Sequence, residues 1–308
     1  MSIKRMEVEN YRVFKSRLNI DFCPGINVFI GDNGTGKTTL IKWMFNLVKN
    51  IEYNRRLPAT PGKAIFYDGE NHVASDNANM VIDISDNLHS VYIPEKDILE
   101  HARGLLPFIE EKHTGFDAIY KNVLISGFDV YTREQTEIQK SIGEQISNIV
   151  GGYVEWDQGD GTFYMVKTNG LRIPFSDEAS AYKKLGYLGL LLACGRFKKG
   201  TILFWDEPEN SLNPELVSVL VDILLKLAKN GVQVFIATHA YDVARYFDVR
   251  EDKSIPVMFH NLTKIPDGGI ACTSSPEYVK LSNNLLDEAN EKLFKAVVAD
   301  ALGDYGNE

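Results

Sequence analysis

Apolar and polar residues alternate with period two over residues 3–8 and again through Leu18, Ile20 and Phe22, the pattern of two half-buried strands. Pro24-Gly25 turns the chain into a largely apolar run, residues 26–30, which reads as a further strand. At Lys37 the period changes, and Leu40, Ile41, Met44, Phe45 and Val48 share one face of a helix. Residues 50–79 show no regular period. Two further strands are expected at 80–84 and 90–93, closed by Pro94.

Residues 97–150 change character, with helical spacing over 98–109 and again in Ile138, Ile142, Ile146, Ile149 and Val150. This stretch reads as a helical insert. A β-meander is expected at 153–156, 162–167 and 171–175, because Gly159-Asp160-Gly161 and Asn169-Gly170 are tight-turn sequences. A helix over 179–197, a strand over 201–205, a helix over 215–229 and a strand over 232–237 then alternate. That order predicts an α/β fold with a parallel sheet. The main domain is divided, residues 1–96 and 151–308, with 97–150 inserted between its parts. No heptad pattern is sustained, so no long coiled-coil arm is expected.

Composition narrows the class. A chain of 308 residues with 44% hydrophobic content can bury a substantial core. Its net charge of -9 argues against nonspecific coating of nucleic acid, although a local basic patch stays open. Cys23, Cys194 and Cys272 are odd in number and show no C-x-x-C spacing, which points away from disulfides and zinc and toward a reducing cytoplasm. The richest apolar stretch, residues 188–194, is too short to cross a bilayer of roughly 30 Å, so no membrane partner is expected.

Two motifs carry chemistry. Gly31-Asp32-Asn33-Gly34-Thr35-Gly36-Lys37-Thr38 fits G-x-x-x-x-G-K-[ST] between an apolar strand and an amphipathic helix, the context a phosphate-binding loop requires. Its glycines let the backbone wrap a phosphate chain, amides and the helix N-terminus supply partial positive charge, and Lys37 reaches the β and γ phosphates. Thr38 is the expected Mg²⁺ ligand, and Thr39 serves either packing or an α-phosphate contact. The second motif is the run Ile202-Leu203-Phe204-Trp205-Asp206-Glu207, which ends in two carboxylates at the edge where parallel sheets place their sites. Asp206 suits the magnesium shell. Glu207, pointing elsewhere, suits the general base that polarises an attacking water. His239 follows a second strand of the same sheet, where an imidazole would emerge beside the γ-phosphate. ATP and Mg²⁺ are the expected cofactors and ATP hydrolysis the expected reaction.

The P-loop, then Asp206-Glu207-Pro208-Glu209 with Asn210-Ser211-Leu212-Asn213-Pro214 after it, then Ala237-Thr238-His239, resembles the ABC-type ATPase heads of the SMC, RecF and OLD-like group. The resemblance implies an ABC-type head with an antiparallel β lobe, and a dimer in which one subunit's signature segment caps ATP held by the other. It also matches Val8-Glu9-Asn10-Tyr11-Arg12 to a segment that brings an arginine, here Arg12, near the nucleotide. The chain departs from the group at the signature itself, where Glu178-Ala179-Ser180-Ala181-Tyr182-Lys183-Lys184-Leu185-Gly186 lacks the glycines of L-S-G-G-Q. Ser180 and Lys183 are the candidates there for contacting ATP in trans. It departs again after Ile93, where Glu95 stands in the region of a magnesium-shell glutamine.

Three roles follow from the resemblance. One is a switch or scaffold for a separate effector, such as a Toprim-type nuclease, as in PARIS-like and OLD-like anti-phage systems; the stretch after His239 looks too short to carry that nuclease itself. Another is a DNA repair or chromosome ATPase that clamps DNA, for which Lys4-Arg5, Arg12, Lys15, Arg17, Arg196, Lys198 and Lys199 are the basic candidates. A transporter subunit is disfavoured by both departures.

Overall fold

A computed structural model describes residues 2–52, 63–68, 71–75, 81–82, 89–112, 118–128, 135–266 and 268–302. The chain opens with β1 (Arg5–Glu9) and β2 (Leu18–Asp21), an antiparallel pair in which Leu18 and Ile20 face inward and Asn19 and Asp21 face water. β3 (Ile26–Gly31) is buried at all its positions and leads through a glycine loop into α1 (Lys37–Glu52). β4 (Lys63–Asp68), β5 (Asn71–Ser75) and β6 (Val81–Ile82) extend the first pair into an antiparallel sheet of order β2-β1-β4-β5-β6. The irregular reading of 50–79 is therefore corrected, since residues 63–67 of β4 pair with β1. Of the strand expected at 80–84, only Val81 and Ile82 lie within the described residues.

β7 (Ser90–Ile93) is followed by α2 (Ala102–Lys112), α3 (Ala118–Ser126) and α4 (Glu137–Val150). α4 is closed at both ends: Thr136 and Gln139 form a reciprocal capping box, and Gly151 takes the left-handed conformation at φ 67°. Its buried face, Ile142, Ile146 and Val150, joins the main core. The meander follows as β8 (Gly152–Asp157), β9 (Thr162–Lys167) and β10 (Arg172–Pro174), in the order β10-β9-β8.

α5 (Ser180–Ala193) stops four residues short of the expected end. Gly195 at φ 67° donates its N–H to Leu192 and Arg196 donates to Leu191, a Schellman closure that the helical spacing of Phe197 conceals. β11 (Ile202–Asp206), α6 (Pro214–Lys229) and β12 (Gln233–Ala237) come next. Asn213 caps α6 by accepting the Leu216 N–H at 2.9 Å, with Pro214 at the first helical position. Beyond His239 the chain adds α7 (Tyr241–Val249), β13 (Val257–Lys264), β14 (Ile270–Ser275) and α8 (Leu285–Leu302).

The central sheet has the order β14-β13-β3-β12-β11-β7 among the described residues. β13, β3, β12, β11 and β7 are mutually parallel, and β14 closes one edge antiparallel to β13. β3, β11 and β12 are buried on both faces, which explains their mostly apolar sequences. Their C-terminal ends lie along one edge: Gly31 beside Leu262, and Asp206 beside Ala237. That edge collects the loop before α1, the carboxylates after β11 and the histidine after β12. No helix among the described residues is long and apolar enough to cross a membrane.

Candidate functional site

The glycine loop is built by close approach. Gly31 (φ 139°) lies where a Cβ would meet the Leu262 carbonyl oxygen at 2.2 Å, so β13 fits only against a glycine there. Gly36 (φ 91°) faces Val13 and Phe14, whose side chains would stand 2.7 and 2.8 Å from an added Cβ. The tight turn that carries those residues is closed by Tyr11 N–H to Phe14 O at 3.0 Å and Phe14 N–H to Tyr11 O at 2.8 Å. Arg12, at φ 50° and exposed, sits in this turn with its guanidinium 5.6 Å from the Tyr11 ring. Packing on Gly36 thus brings the Arg12 turn to the loop from a different part of the chain.

Within the loop, Asp32 Oδ1 accepts the Asn33 N–H at 2.6 Å, and the buried Thr35 hydroxyl donates to Asp32 O at 2.8 Å. Gly34 at φ 77° lies at the exposed tip. Lys37 is buried, and its Nζ donates to the carbonyls of Gly31 at 2.8 Å and Asp32 at 3.1 Å, which holds it along the inside of the ring. Burial pushes its pKa down, against the pull of Glu207, Asp32, Asp206 and Glu209. The first turn of α1 carries no acidic residue, so the positive end of that helix is available to an anion. Thr39 is half-buried in that turn.

The two motifs meet directly. Thr38 Oγ1 donates to Asp206 Oδ1 at 2.9 Å across 168 residues of sequence. Burial raises the Asp206 pKa to about 6, with Thr38 opposing and the charges of Glu207 and Glu95 adding. Glu207 has a left-handed backbone, φ 46°, and its N–H reaches Ala237 O at 2.8 Å. From this turn at the strand end its carboxylate meets His239, whose Nδ1 lies 3.0 Å from Glu207 Oε1. The His239 side chain is half exposed, at 53%.

The remaining candidates separate. Ser180 is exposed at the start of α5. Lys183 is turned inward: its side chain is buried and its Nζ bonds Glu100 Oε2 at 2.5 Å and Ser176 O at 3.3 Å. The structure therefore pairs Lys183 within its own chain. Glu95 accepts a long hydrogen bond from Asn210 at 3.4 Å.

Two residues of the site had not been singled out from sequence. Glu209, its pKa raised by burial, accepts the Thr238 hydroxyl at 2.6 Å and so ties the loop after β11 to the end of β12. Lys184 reaches the same loop from α5, donating to the Glu207 carbonyl at 2.9 Å. The signal for Glu209 was a third carboxylate, two residues past Glu207; for Lys184 it was a lysine inside an apolar helix face.

Two family models match parts of the chain. One, described as "AAA ATPase domain", matches residues 1–91, and the other, "AAA domain, putative AbiEii toxin, Type IV TA system", matches residues 105–242. The phosphate import ATP-binding protein PstB of Spiroplasma kunkelii is 26% identical over 224 residues, 72% of this chain and 68% of that one. The DNA replication and repair protein RecF of Clostridium perfringens is 47% identical over 45 residues, 15% of this chain, and the match spans only 12% of RecF. Among solved structures, an Smc head bound to the C-terminal winged-helix domain of ScpA aligns with TM-score 0.55 and 14% identity, over 89% of this chain and 98% of the other. The Smc head from Pyrococcus furiosus with an extended coiled coil, bound to the C-terminal domain of ScpA, aligns with TM-score 0.54 and 12% identity, over 97% and 100%. The fold is that of an SMC-type ATPase head.

Proposed function

We propose that this chain is a Mg²⁺-dependent ATPase that closes as a homodimer around ATP and acts as a nucleotide-controlled switch for a separate effector protein. The observation that carries the reading is the contact of Thr38 with Asp206 beside the Glu207–His239 pair, because it joins a phosphate loop, a metal-ligand pair and a water-activating carboxylate at one sheet edge. The loop amides and Lys37 hold the β and γ phosphates. Thr38 and Asp206 supply a hydroxyl and a carboxylate oxygen 2.9 Å apart, hard donors that fit magnesium, which commonly takes one or two protein oxygens and completes its shell with water and phosphate. The bound ion would neutralise charge on the β and γ oxygens. Glu207 orients the attacking water and takes its proton, and His239 fixes the carboxylate through its Nδ1 while its exposed edge is left to sense the γ-phosphate.

Dimerisation is supported by Ser180, exposed at the N-terminus of α5 in the signature position. An effector role, including one in anti-phage defence with a Toprim-type nuclease as partner, extends the sequence resemblance. A DNA-clamping role is the second reading, favoured by the local match to RecF. Against it, Arg17 pairs with Glu7 at 2.6 Å and Arg5 with Glu7 and Asp21 at 3.4 and 3.7 Å, which neutralises part of the N-terminal basic cluster.

Sedimentation with ATP tests the dimer: the wild type should associate, and Ser180→Arg should stay monomeric while still binding nucleotide. Equal sedimentation of the two proteins would remove the trans contact. Copurification of a nuclease from native cells favours the effector reading; filter binding of plain duplex that weakens steeply with salt favours the clamp.

A further inference from the structure

Lys184 lies on the face of α5 that packs into the molecule, and only 8% of it is exposed. Its Nζ donates to the Glu207 carbonyl at 2.9 Å. The same residue is held elsewhere too: Glu207 N–H bonds Ala237 O at 2.8 Å, and Asn210 N–H bonds Glu207 O at 3.1 Å. Around the ammonium stand the carboxylates of Glu209, Asp97, Glu95 and Glu207, contributed by the loops after β7 and β11.

Burying a lysine is unfavourable unless its charge is used, and an apolar side chain of the same length would fill the space at less cost. What the ammonium holds is a backbone in an unfavoured conformation. Glu207 is a non-glycine residue at φ 46°, and from this left-handed turn its carboxylate meets His239 Nδ1 at 3.0 Å. Donors on its carbonyl and β12 on its N–H hold the two peptide groups that flank the Glu207 Cα, and with them the direction of the side chain.

We propose that Lys184 is the positioning residue for Glu207: it holds the general base in its left-handed turn and couples α5, the helix that begins at Ser180, to the catalytic loop. Lys184 meets the loop at the Glu207 carbonyl, so its effect on hydrolysis passes through Glu207. The proposal rests on Glu207 acting as the base.

The test is a kinetic cycle on the full chain, with Lys184→Met, Lys184→Arg, Glu207→Gln and the double variant Lys184→Met/Glu207→Gln. Phosphate release gives kcat and KM, a fluorescent ATP analogue gives affinity, and thermal melting reports folding. Lys184→Met should lower kcat by about 30-fold with KM and affinity within about threefold, the pattern of a lost transition-state arrangement. Lys184→Arg, which keeps a charged donor, should recover at least about a third of the rate. On the Glu207→Gln background, Lys184→Met should change the residual rate by less than about twofold. Should Lys184→Met melt below the assay temperature, Lys184→Gln replaces it in the cycle with the same expectations. Full-speed turnover in either variant, or a loss that simply multiplies with that of Glu207→Gln, overturns the positioning role. A Glu207→Gln protein that hydrolyses ATP normally removes instead the assignment of the base.

Discussion

His260, on β13, is fully buried, and replacing it isolates one source of acid sensitivity in the sheet that carries the P-loop. Its Nδ1 lies 2.8 Å from Ser274 Oγ and its Nε2 lies 3.3 Å from Asn27 Oδ1, with its ring against Phe22 and Phe29. Burial pushes the imidazole pKa from 6.5 down to about 3. The native protein therefore keeps this group neutral at pH values where the unfolded chain has already taken up a proton. Its contribution to stability is complete above pH 6.5 and falls as pH drops through the window from 6.5 to about 3. The loss is about 1.4 kcal/mol per pH unit, which reaches about 2 kcal/mol by pH 5. His260→Gln cannot titrate. Whatever the substitution costs at pH 7.5, the stability gap between wild type and variant should narrow by about 2 kcal/mol at pH 5. Urea unfolding followed by tryptophan fluorescence at pH 7.5, 6 and 5 measures that gap. Parallel stability curves for the two proteins would refute the burial argument.

Two further outcomes concern the nucleotide site. Gly36→Ala places a methyl 2.7 Å from Val13 and 2.8 Å from Phe14 at φ 91°, so it should weaken nucleotide affinity by at least about tenfold by displacing the Arg12 turn or the loop; calorimetric titration with ATP checks this. His239→Ala should cut kcat by about 10- to 100-fold with affinity nearly unchanged, because it touches Glu207 and not the P-loop lysine; a pure binding defect in the same titration would make it structural.

The site was legible where its chemistry is local in sequence. The P-loop announces itself because phosphate binding fixes glycines, lysine and threonine within eight consecutive positions, and the apolar run before Asp206-Glu207 is the mark of a strand buried on both faces. The fold was legible for the same reason along β3, β11 and β12. What escaped depends on distant partners. β4 and β5 lie in a stretch without strict alternation; β4 is fixed by pairing with β1, and β5 by pairing with β4. β13 completes the sheet beside β3, and nothing in residues 257–264 announces that its Leu262 carbonyl will lie over Gly31. The adjacent lysines of the signature segment look interchangeable in sequence. Packing separates them, turning Lys183 to Glu100 and Lys184 to the Glu207 carbonyl, and leaves Ser180 exposed a turn earlier.

Hydrolysis at Glu207 is tested most directly by measuring ATP binding and phosphate release on the same preparations of wild type and Glu207→Gln with magnesium present. The variant should bind ATP as tightly as the wild type and release phosphate at least about 100-fold more slowly, since it keeps the P-loop and the Thr38–Asp206 pair and loses only the base. Equal phosphate release by the two proteins, or no ATP binding by either, would contradict the assignment of this sheet edge as an ATPase site.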